Sequence, residues 1–247
     1  MNRTRALGFV LFLAFVALAG CTSAFGPSPA NQDALTQNES YDWDTDVNAS
    51  INITGGSYEA VYRVDNRSEF VVQRRDSLQR DRPLAISALK FQYPNGSVVT
   101  AASPKLNATN EQERTVIDLP ARDGRVAFKS STQGKQFVTE TFVPGSYEVT
   151  IPKGMRVDYE PLARVDPGDY ETERTASGHV RIHWENVESD SVAVRYYLQR
   201  DLYIFAGGLA VLVVVALVGV LYYLRQIRGL EAERRKASPD GNRRDDP

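Results

Sequence analysis

Three hydrophobic patterns divide the chain. One apolar run occupies residues 6–19, a second run without a charged residue occupies residues 202–224, and short apolar stretches alternate with polar residues between them. Stretches rich in Val, Ile, Tyr, Phe and Thr that are separated by turn residues are typical of strands. Many short strands at this spacing predict a mainly β, sandwich-like domain of antiparallel strands over residues 57–200.

Within this domain, the pattern gives local predictions. The alternation of Val180, Ile182 and Trp184 with His179 and His183 indicates a strand. On a strand the two histidines lie about 13 Å apart, because each residue adds roughly 3.3 Å, so they cannot share one metal ion. Residues 74–81 are the best place for a short helix.

The second apolar run predicts a transmembrane helix over residues 202–224. Its 23 residues extend roughly 34 Å at 1.5 Å per residue, which is enough to cross a bilayer. Basic residues cluster after the run, at Arg225, Arg228, Arg234, Arg235 and Lys236. The positive-inside rule therefore predicts a single-pass protein whose residues 225–247 form a short cytoplasmic tail, mostly disordered. Gly229 and Pro239 limit a continuous helix, and the alternative is that residues 230–237 extend it by about two turns.

The first apolar run predicts a signal peptide over residues 1–20. Arg3 and Arg5 precede a run too short to span a bilayer, and small residues precede Cys21. The sequence Leu-Ala-Gly-Cys at residues 18–21 resembles the lipobox of prokaryotic lipoproteins, which implies that Cys21 carries a lipid. An uncleaved anchor is the alternative. Cys21 is the only cysteine, so an internal disulfide cannot form.

Residues 21–56 are predicted to be a lipidated, flexible tether, because they are poor in aliphatic residues and rich in Ser, Thr, Asn, Asp and Pro. Asp42, Asp44 and Asp46 have the spacing that opens a calcium loop. Val47 stands where such a loop needs glycine, and Ile53 where it needs glutamate, so we interpret the segment as a solvated acidic linker.

The exported region is rich in N-glycosylation motifs. Six of its nine asparagines begin an Asn-x-Ser/Thr motif, whereas its Ser and Thr content predicts one or two by chance. The candidate glycosylation sites are Asn38, Asn48, Asn52, Asn66, Asn95 and Asn107. All of them precede residue 110, so the half of the domain from about residue 125 to residue 200 is expected to face the membrane or a membrane partner.

Several features together suggest a source. Arginine outnumbers lysine 23 to 6, and the lipobox occurs together with many glycosylation motifs. The block Tyr-Tyr-Leu-Gln-Arg-Asp-Leu-Tyr-Ile-Phe at residues 196–205 precedes the predicted membrane helix. With these features the chain resembles an uncharacterised family of haloarchaeal predicted membrane lipoproteins. This resemblance implies no known activity.

Charge and motifs limit the function. Residues 21–201 carry 20 Lys and Arg against 26 Asp and Glu, and this acidic balance argues against nucleic-acid binding. The sequence has no HExxH, GxSxG, P-loop or dinucleotide-binding motif. We therefore expect no catalytic residues, no metal site and no cofactor.

These observations predict a non-enzymatic protein at the cell surface. It would be a glycosylated lipoprotein, with its ectodomain outside and its C-terminus in the cytoplasm, that serves as a binding or accessory module of an envelope complex. Its expected partners are membrane lipid and a membrane or envelope protein. The alternative is an envelope hydrolase of unrecognised type, whose acidic residues come together only in the fold.

Overall fold

The computed structural model of the protein describes residues 26–132 and 134–237, with side chains up to residue 230. The chain forms two compact units and passes from the first to the second between Tyr197 and Leu198. Strands build the first unit, here called the β domain, and one long helix dominates the second. This confirms the predicted fold class, in which a mainly β part of antiparallel strands precedes one apolar C-terminal helix.

The described residues contain eighteen strands and two helices, numbered in chain order. The strands are β1 (Ser28–Pro29), β2 (Ala49–Ile53), β3 (Ser57–Val64), β4 (Glu69–Arg75), β5 (Asp81–Pro83), β6 (Ile86–Gln92), β7 (Val98–Thr100), β8 (Asn107–Asn110), β9 (Thr115–Asp118), β10 (Gly124–Ser131), β11 (Gln136–Glu140), β12 (Gly145–Ile151), β13 (Met155–Arg156), β14 (Arg164–Asp166), β15 (Glu171–Arg174), β16 (Val180–Val187), β17 (Ser191–Arg195) and β18 (Tyr197–Leu198). The helices are α1 (Gln32–Leu35) and α2 (Gln199–Ala237).

These strands form four sheets. The largest sheet has eight strands in the order β15-β16-β12-β2-β3-β10-β6-β7. A five-stranded sheet has the order β1-β8-β9-β4-β5, a three-stranded sheet has the order β11-β17-β14, and β13 pairs with β18. In the three larger sheets β2 and β12 run parallel, and the other neighbours are antiparallel.

Aromatic rings show how the sheets pack. The ring of Tyr62 on β3 lies 5.3 Å from that of Phe70 on β4 and 5.8 Å from that of Phe128 on β10. Tyr58, also on β3, lies 5.0 Å from Phe137 on β11. The eight-stranded sheet is therefore one layer of a sandwich, and the five-stranded and three-stranded sheets form the layer that faces it.

Alternation along each strand separates two faces of the eight-stranded sheet. On β12, the side chains of Tyr147, Val149 and Ile151 are fully buried in the core. Residues between them, such as Glu148, point to the opposite side because successive side chains of a strand alternate. We call this opposite side the outer face.

The predicted tether is wrong for residues 28–53. Ser28 pairs with Asn110 in the five-stranded sheet, and β2 lies between β3 and β12 in the eight-stranded sheet. Leu35, Tyr41 and Val47 are buried. The β domain therefore begins near residue 28 rather than at residue 57.

The short helix expected over residues 74–81 is also wrong. Residues up to Arg75 belong to β4, β5 starts at Asp81, and the two strands form a hairpin. The carboxylate of Asp76 accepts hydrogen bonds from the backbone N–H groups of Leu78 (2.8 Å) and Arg80 (3.0 Å). Asp favours such side-chain-to-backbone bonds, which compete with helix formation.

Helix α2 contains the predicted membrane span. Residues 199–230 form one helix that is long and apolar enough to cross a membrane, and the side chains of its most apolar part are all outside the protein interior. The helix continues to Ala237, so the first part of the tail is helical and the alternative extension over residues 230–237 is present. Gly229 does not end it. Residues 238–247 lie outside the described part of the chain.

Candidate binding surface

One half of the outer face is covered by the chain itself. Residues 38–47, which we call the crossing segment, run over strands β3, β10 and β6. Tyr41 packs on Val61, Ala88 and Ala127, and Trp43 lies against this cluster. The uncovered sheet would expose these apolar side chains, so the crossing segment removes them from water.

Polar bonds fix the crossing segment to the strands beneath it. The guanidinium of Arg125 donates to the carbonyls of Trp43 and of Thr45, the latter at 2.6 Å. Glu39 forms an ion pair with Lys129, and the hydrogen bond from this lysine lowers the pKa of Glu39. The Tyr41 hydroxyl donates to the carbonyl of Ala88 at 2.8 Å.

The backbone carbonyl of Ala88, which accepts the bond from Tyr41, lies at an irregularity in β6. Ala88 has a φ of 51°, and the register between β6 and β10 shifts at this point, between Ala127 and Lys129. A bulge disturbs the regular ladder, and the Ala88 carbonyl bonds to the crossing segment. Burial raises the pKa of Tyr41 well above its usual range.

The other half of the outer face carries charges in place of this cover. Glu148 on β12 pairs with His183 on β16, and Arg181, two residues earlier on β16, pairs with Glu173 on β15. The Arg181 guanidinium lies 3.2 Å from Glu148 and 3.5 Å from Glu173. Partial burial raises the pKa of Glu148, and Arg181 only partly offsets this effect. Every residue of β15, the edge strand, is exposed.

An acidic cleft of about 540 Å³ borders this charged half. Its lining contains four carboxylates and one histidine, namely Asp169, Glu171, Glu185, Glu188 and His183. Trp184 supports the wall, since its indole N–H donates to the Pro167 carbonyl at 2.9 Å and its ring lies 6.1 Å from that of Tyr170. We define the acidic surface as this cleft together with β15.

The acidic surface suits a cationic ligand by charge. Within the described residues, no group of three or more His, Cys, Asp and Glu side chains is arranged to hold a metal ion. His183 lines the cleft, whereas His179 bonds to the Ser177 hydroxyl at 2.9 Å, so the two histidines do not share a site.

Sequence reasoning did not find the acidic surface. Its carboxylates come from the loop before β15, from β15, from the end of β16 and from the turn that follows. The available signal was the density of acidic residues between positions 158 and 190, where the sequence has nine Asp and Glu, three Arg and no Lys. The density of acidic residues does not reveal that β15 pairs with β16, and this pairing brings Glu171 opposite His183.

The six candidate glycosylation sites differ in exposure. Asn38, Asn52, Asn66 and Asn95 are exposed, whereas Asn48 and Asn107 are partly buried. Asn66 and Asn95 lie in turns, and Asn52 lies on the outer face of β2. The side chain of Asn107 accepts a hydrogen bond from Gln32 at 2.8 Å.

Asn48 has a structural role. Its side-chain oxygen accepts hydrogen bonds from the Ser146 hydroxyl (3.0 Å) and backbone N–H (3.3 Å). Gly145 beside it has a φ of 107°, and a Cβ atom there would come within 2.8 Å of the same oxygen. The Asn48 amide therefore joins the start of β12 to the residue before β2.

The proposed division of the domain into two chain halves matches the sheet only in part. Strands β15, β16 and β12 from the second half lie together at one side of the eight-stranded sheet, whereas β10 lies between β3 and β6 from the first half. The half from residue 125 to residue 200 therefore shares this sheet with the first half and does not form a separate layer. The predicted lipidation site, Cys21, lies outside the described residues.

The family of the chain follows from residues 45–242. They match a family of unknown function, DUF5803, over most of the chain. The chain belongs to this family. The DUF5803 region starts inside the crossing segment and takes in strands β2 to β18 together with α2. A comparison with curated proteins found no match.

Proposed function

We propose that this DUF5803 protein is a haloarchaeal cell-surface lipoprotein that acts as a non-enzymatic binding or accessory module of an envelope complex. The observation that carries the proposal is the contrast between the two halves of the outer face. The chain covers one half with its own crossing segment and leaves the acidic surface open.

The acidic surface supports a partner of opposite charge. Its carboxylates lie in a cleft beside the exposed edge strand β15, and an unpaired edge offers backbone donors and acceptors to an extended segment. A basic segment of a membrane or envelope protein can use both features. Electrostatic complementarity of this kind speeds association and selects partners.

Two anchors hold the proposed module at the membrane. The lipobox places a lipid on Cys21, and helix α2 crosses the bilayer with its arginine-rich end in the cytoplasm. One lipid chain gives only marginal membrane binding, whereas a spanning helix is effectively permanent. The Cys21→Ser variant should therefore remain in the membrane, and mass spectrometry of the mature protein should find a lipidated Cys21 as its first residue.

Glycans complete the proposed surface module. Exposure favours occupancy at Asn38, Asn52, Asn66 and Asn95, while the bonds of Asn48 to Ser146 disfavour a glycan there. None of the six motifs falls on the acidic surface. A bulky, hydrated glycan beside the cleft would hinder a partner, so its absence from this region supports a binding role.

Co-purification tests the proposal. The protein is extracted from cells in mild detergent, and co-purifying membrane proteins are identified for the natural chain and for a Glu171→Lys/Glu185→Lys variant. The matched control is Asp65→Lys/Asp118→Lys, which makes the same charge change at exposed positions away from the cleft. We expect a partner that is lost only with the cleft variant. Equal recovery with both variants contradicts the proposal.

The cleft also favours the second candidate, an envelope hydrolase, because carboxylates in a cleft can act as general acid and base. Glu171→Gln and Glu185→Gln distinguish the two. Loss of hydrolysis of an envelope polymer by the purified protein, with partner binding intact, supports the hydrolase. A binding module loses partner affinity instead.

A further inference from the structure

The hairpin of β4 and β5 has an apolar tip. Leu78 is 68% exposed, more than any other large apolar side chain described in the β domain. The Asp76 carboxylate holds the turn around it through bonds to the backbone of Leu78 and Arg80 and to the side chains of Arg80 and Arg82. These bonds keep the leucine pointing away from the domain at a fixed place.

Arginines surround this leucine. The hairpin carries Arg74, Arg75, Arg80 and Arg82 against two aspartates, Asp76 and Asp81. The side chains of Arg75, Arg80 and Arg82 are 50%, 57% and 44% exposed. An apolar tip with arginines at its base matches the layered chemistry of a bilayer surface, where phosphates lie above the acyl chains.

The β4–β5 hairpin belongs to the five-stranded sheet, and the residues that follow it place it at one end of the sandwich. The residues that follow β5 bridge the sheets, since the Leu84 carbonyl accepts from the Thr115 hydroxyl (2.9 Å) and the Ala85 carbonyl from the Ser130 hydroxyl (2.7 Å). Thr115 begins β9, and Ser130 lies near the end of β10. We call this end of the β domain the hairpin end.

The chain enters the β domain at the hairpin end. Ser28 on β1 pairs with Asn110 on β8, and Asn110 pairs with Thr115. The proposed lipid on Cys21 is thus separated from β1 by only a few residues. The seven residues 21–27 reach at most about 25 Å when fully extended, which keeps this end close to the membrane.

The chain also leaves the β domain at the hairpin end. Arg195 at the end of β17 pairs with Gln136, next to Phe137, whose ring contacts Tyr58. Tyr58 in turn pairs with Ser130. The strand that leads to α2 therefore finishes at the end of the sandwich where the hairpin lies.

Further exposed apolar side chains lie near this exit. Tyr159 and Leu162 are 48% and 39% exposed, and they follow Asp158, whose carboxylate accepts a bond from the Tyr197 hydroxyl at 2.9 Å. The motifs at Asn66 and Asn95 lie at the opposite end, where Val64 pairs with Gly124 and Gln92 with Arg125.

We propose that the β4–β5 hairpin is a membrane contact, with Leu78 at the boundary of the acyl chains and its arginines against lipid phosphates of the outer leaflet. The inference rests on the proposed anchoring by α2 and deepens it. The hairpin fixes the orientation of the β domain so that Asn66 and Asn95 face away from the membrane.

Labelling of the full-length chain tests this contact. In a Cys21→Ser background, Leu78→Cys carries a polarity-sensitive fluorophore as the sole thiol label, and the protein is reconstituted into vesicles of anionic phospholipid with and without nitroxide-bearing acyl chains. Val98→Cys is the control, because Val98 is 45% exposed and pairs with Gln92 at the opposite end.

We expect blue-shifted emission and loss of most of the fluorescence to the nitroxide at position 78, with neither effect at position 98. Arg74→Glu should reduce the quenching at position 78. Equal, unquenched emission at both positions in protein that floats with the vesicles overturns the hairpin contact alone. Failure of the protein to float with the vesicles overturns the contact and the proposed anchoring together.

Discussion

The two halves of the outer face belong to the same sheet but differ in what covers them. Over β3, β10 and β6, apolar residues are covered by the crossing segment, and Tyr41 retains only 7% exposure. Over β12, β16 and β15, ion pairs face solvent, and Arg181 keeps 42% of its side chain exposed. Burial stabilises the first half far more than exposed ion pairs stabilise the second.

This difference assigns different roles to the halves. A face stabilised by its own chain segment is part of the fold, because removing the cover exposes apolar residues. Because the charged face contributes little to stability, its residues can be substituted without unfolding the domain and can serve to bind a partner. Substitutions in the covered half should therefore affect unfolding, and substitutions in the open half should affect partners.

The largest expected effect is at Tyr41. Tyr41→Ala removes a buried ring and its bond to Ala88, and we expect it to lower the free energy of unfolding by about 3 kcal/mol. Tyr41→Phe keeps the ring and should cost about 1 kcal/mol. Denaturant unfolding in detergent measures both values.

The control Tyr159→Ala removes a 48% exposed ring and should change the free energy of unfolding little. Equal effects at positions 41 and 159 would show that the crossing segment is not packed.

Arg125 should have the next largest effect. Arg125→Ala removes charged hydrogen bonds to the carbonyls of Trp43 and Thr45, at an expected cost of about 2 kcal/mol. Arg63 pairs with Arg125 across β3 and β10 and is exposed, so Arg63→Ala is the matched control, with an expected change below about 0.5 kcal/mol. Hydrogen exchange of residues 38–47 should rise only in the Arg125 variant.

Asn48 and Asn52 should differ by a smaller amount in their effect on stability. Asn48 immediately precedes β2, and Asn52 lies on β2. Asn48→Ala removes the acceptor of the Ser146 bonds and should cost about 1 kcal/mol. Asn52→Ala, on the exposed side of β2, should stay within about 0.5 kcal/mol in protein made without glycans. Thermal unfolding compares the two variants, and a larger loss at position 52 would reverse the assigned roles.

The smallest effect concerns pH in the open half. Partial burial raises the folded-state pKa of Glu148, so its ionisation opposes folding as the pH rises from the unfolded pKa to the raised folded value. Glu148→Gln removes this cost. Its melting temperature should match that of the natural chain at low pH and exceed it slightly at neutral pH. A melting temperature of the variant that falls below that of the natural chain at neutral pH, while the two agree at low pH, contradicts the prediction.

Local alternation was enough to predict the sandwich and the membrane span. Strand β16 contains Val180, Ile182 and Trp184, which are all buried, as expected for residues on one face of a strand. Helix α2 contains the uncharged run. The crossing segment escaped prediction because Tyr41, Trp43 and Val47 stand singly among polar residues. Their burial depends on an apolar patch whose members, Val61, Ala88 and Ala127, come from three distant strands.

The candidate sites show the same limit. In sequence the motifs at Asn48 and Asn52 are equivalent, and only the approach of Gly145 and Ser146 distinguishes Asn48. The acidic surface likewise requires the pairing of β15 with β16. Long-range strand pairing places these groups together, and composition or spacing alone does not reveal it.

Topology in the membrane is the most direct test of the proposed surface role. Intact cells are treated with protease, and the fragments are detected with one epitope in the β domain, inserted at the exposed turn of Asn95, and another at the C-terminus. We expect the β-domain epitope to be digested and the C-terminal epitope to persist on a membrane-embedded fragment that includes α2. A protected β domain with a digested C-terminus would contradict a module that acts outside the cell.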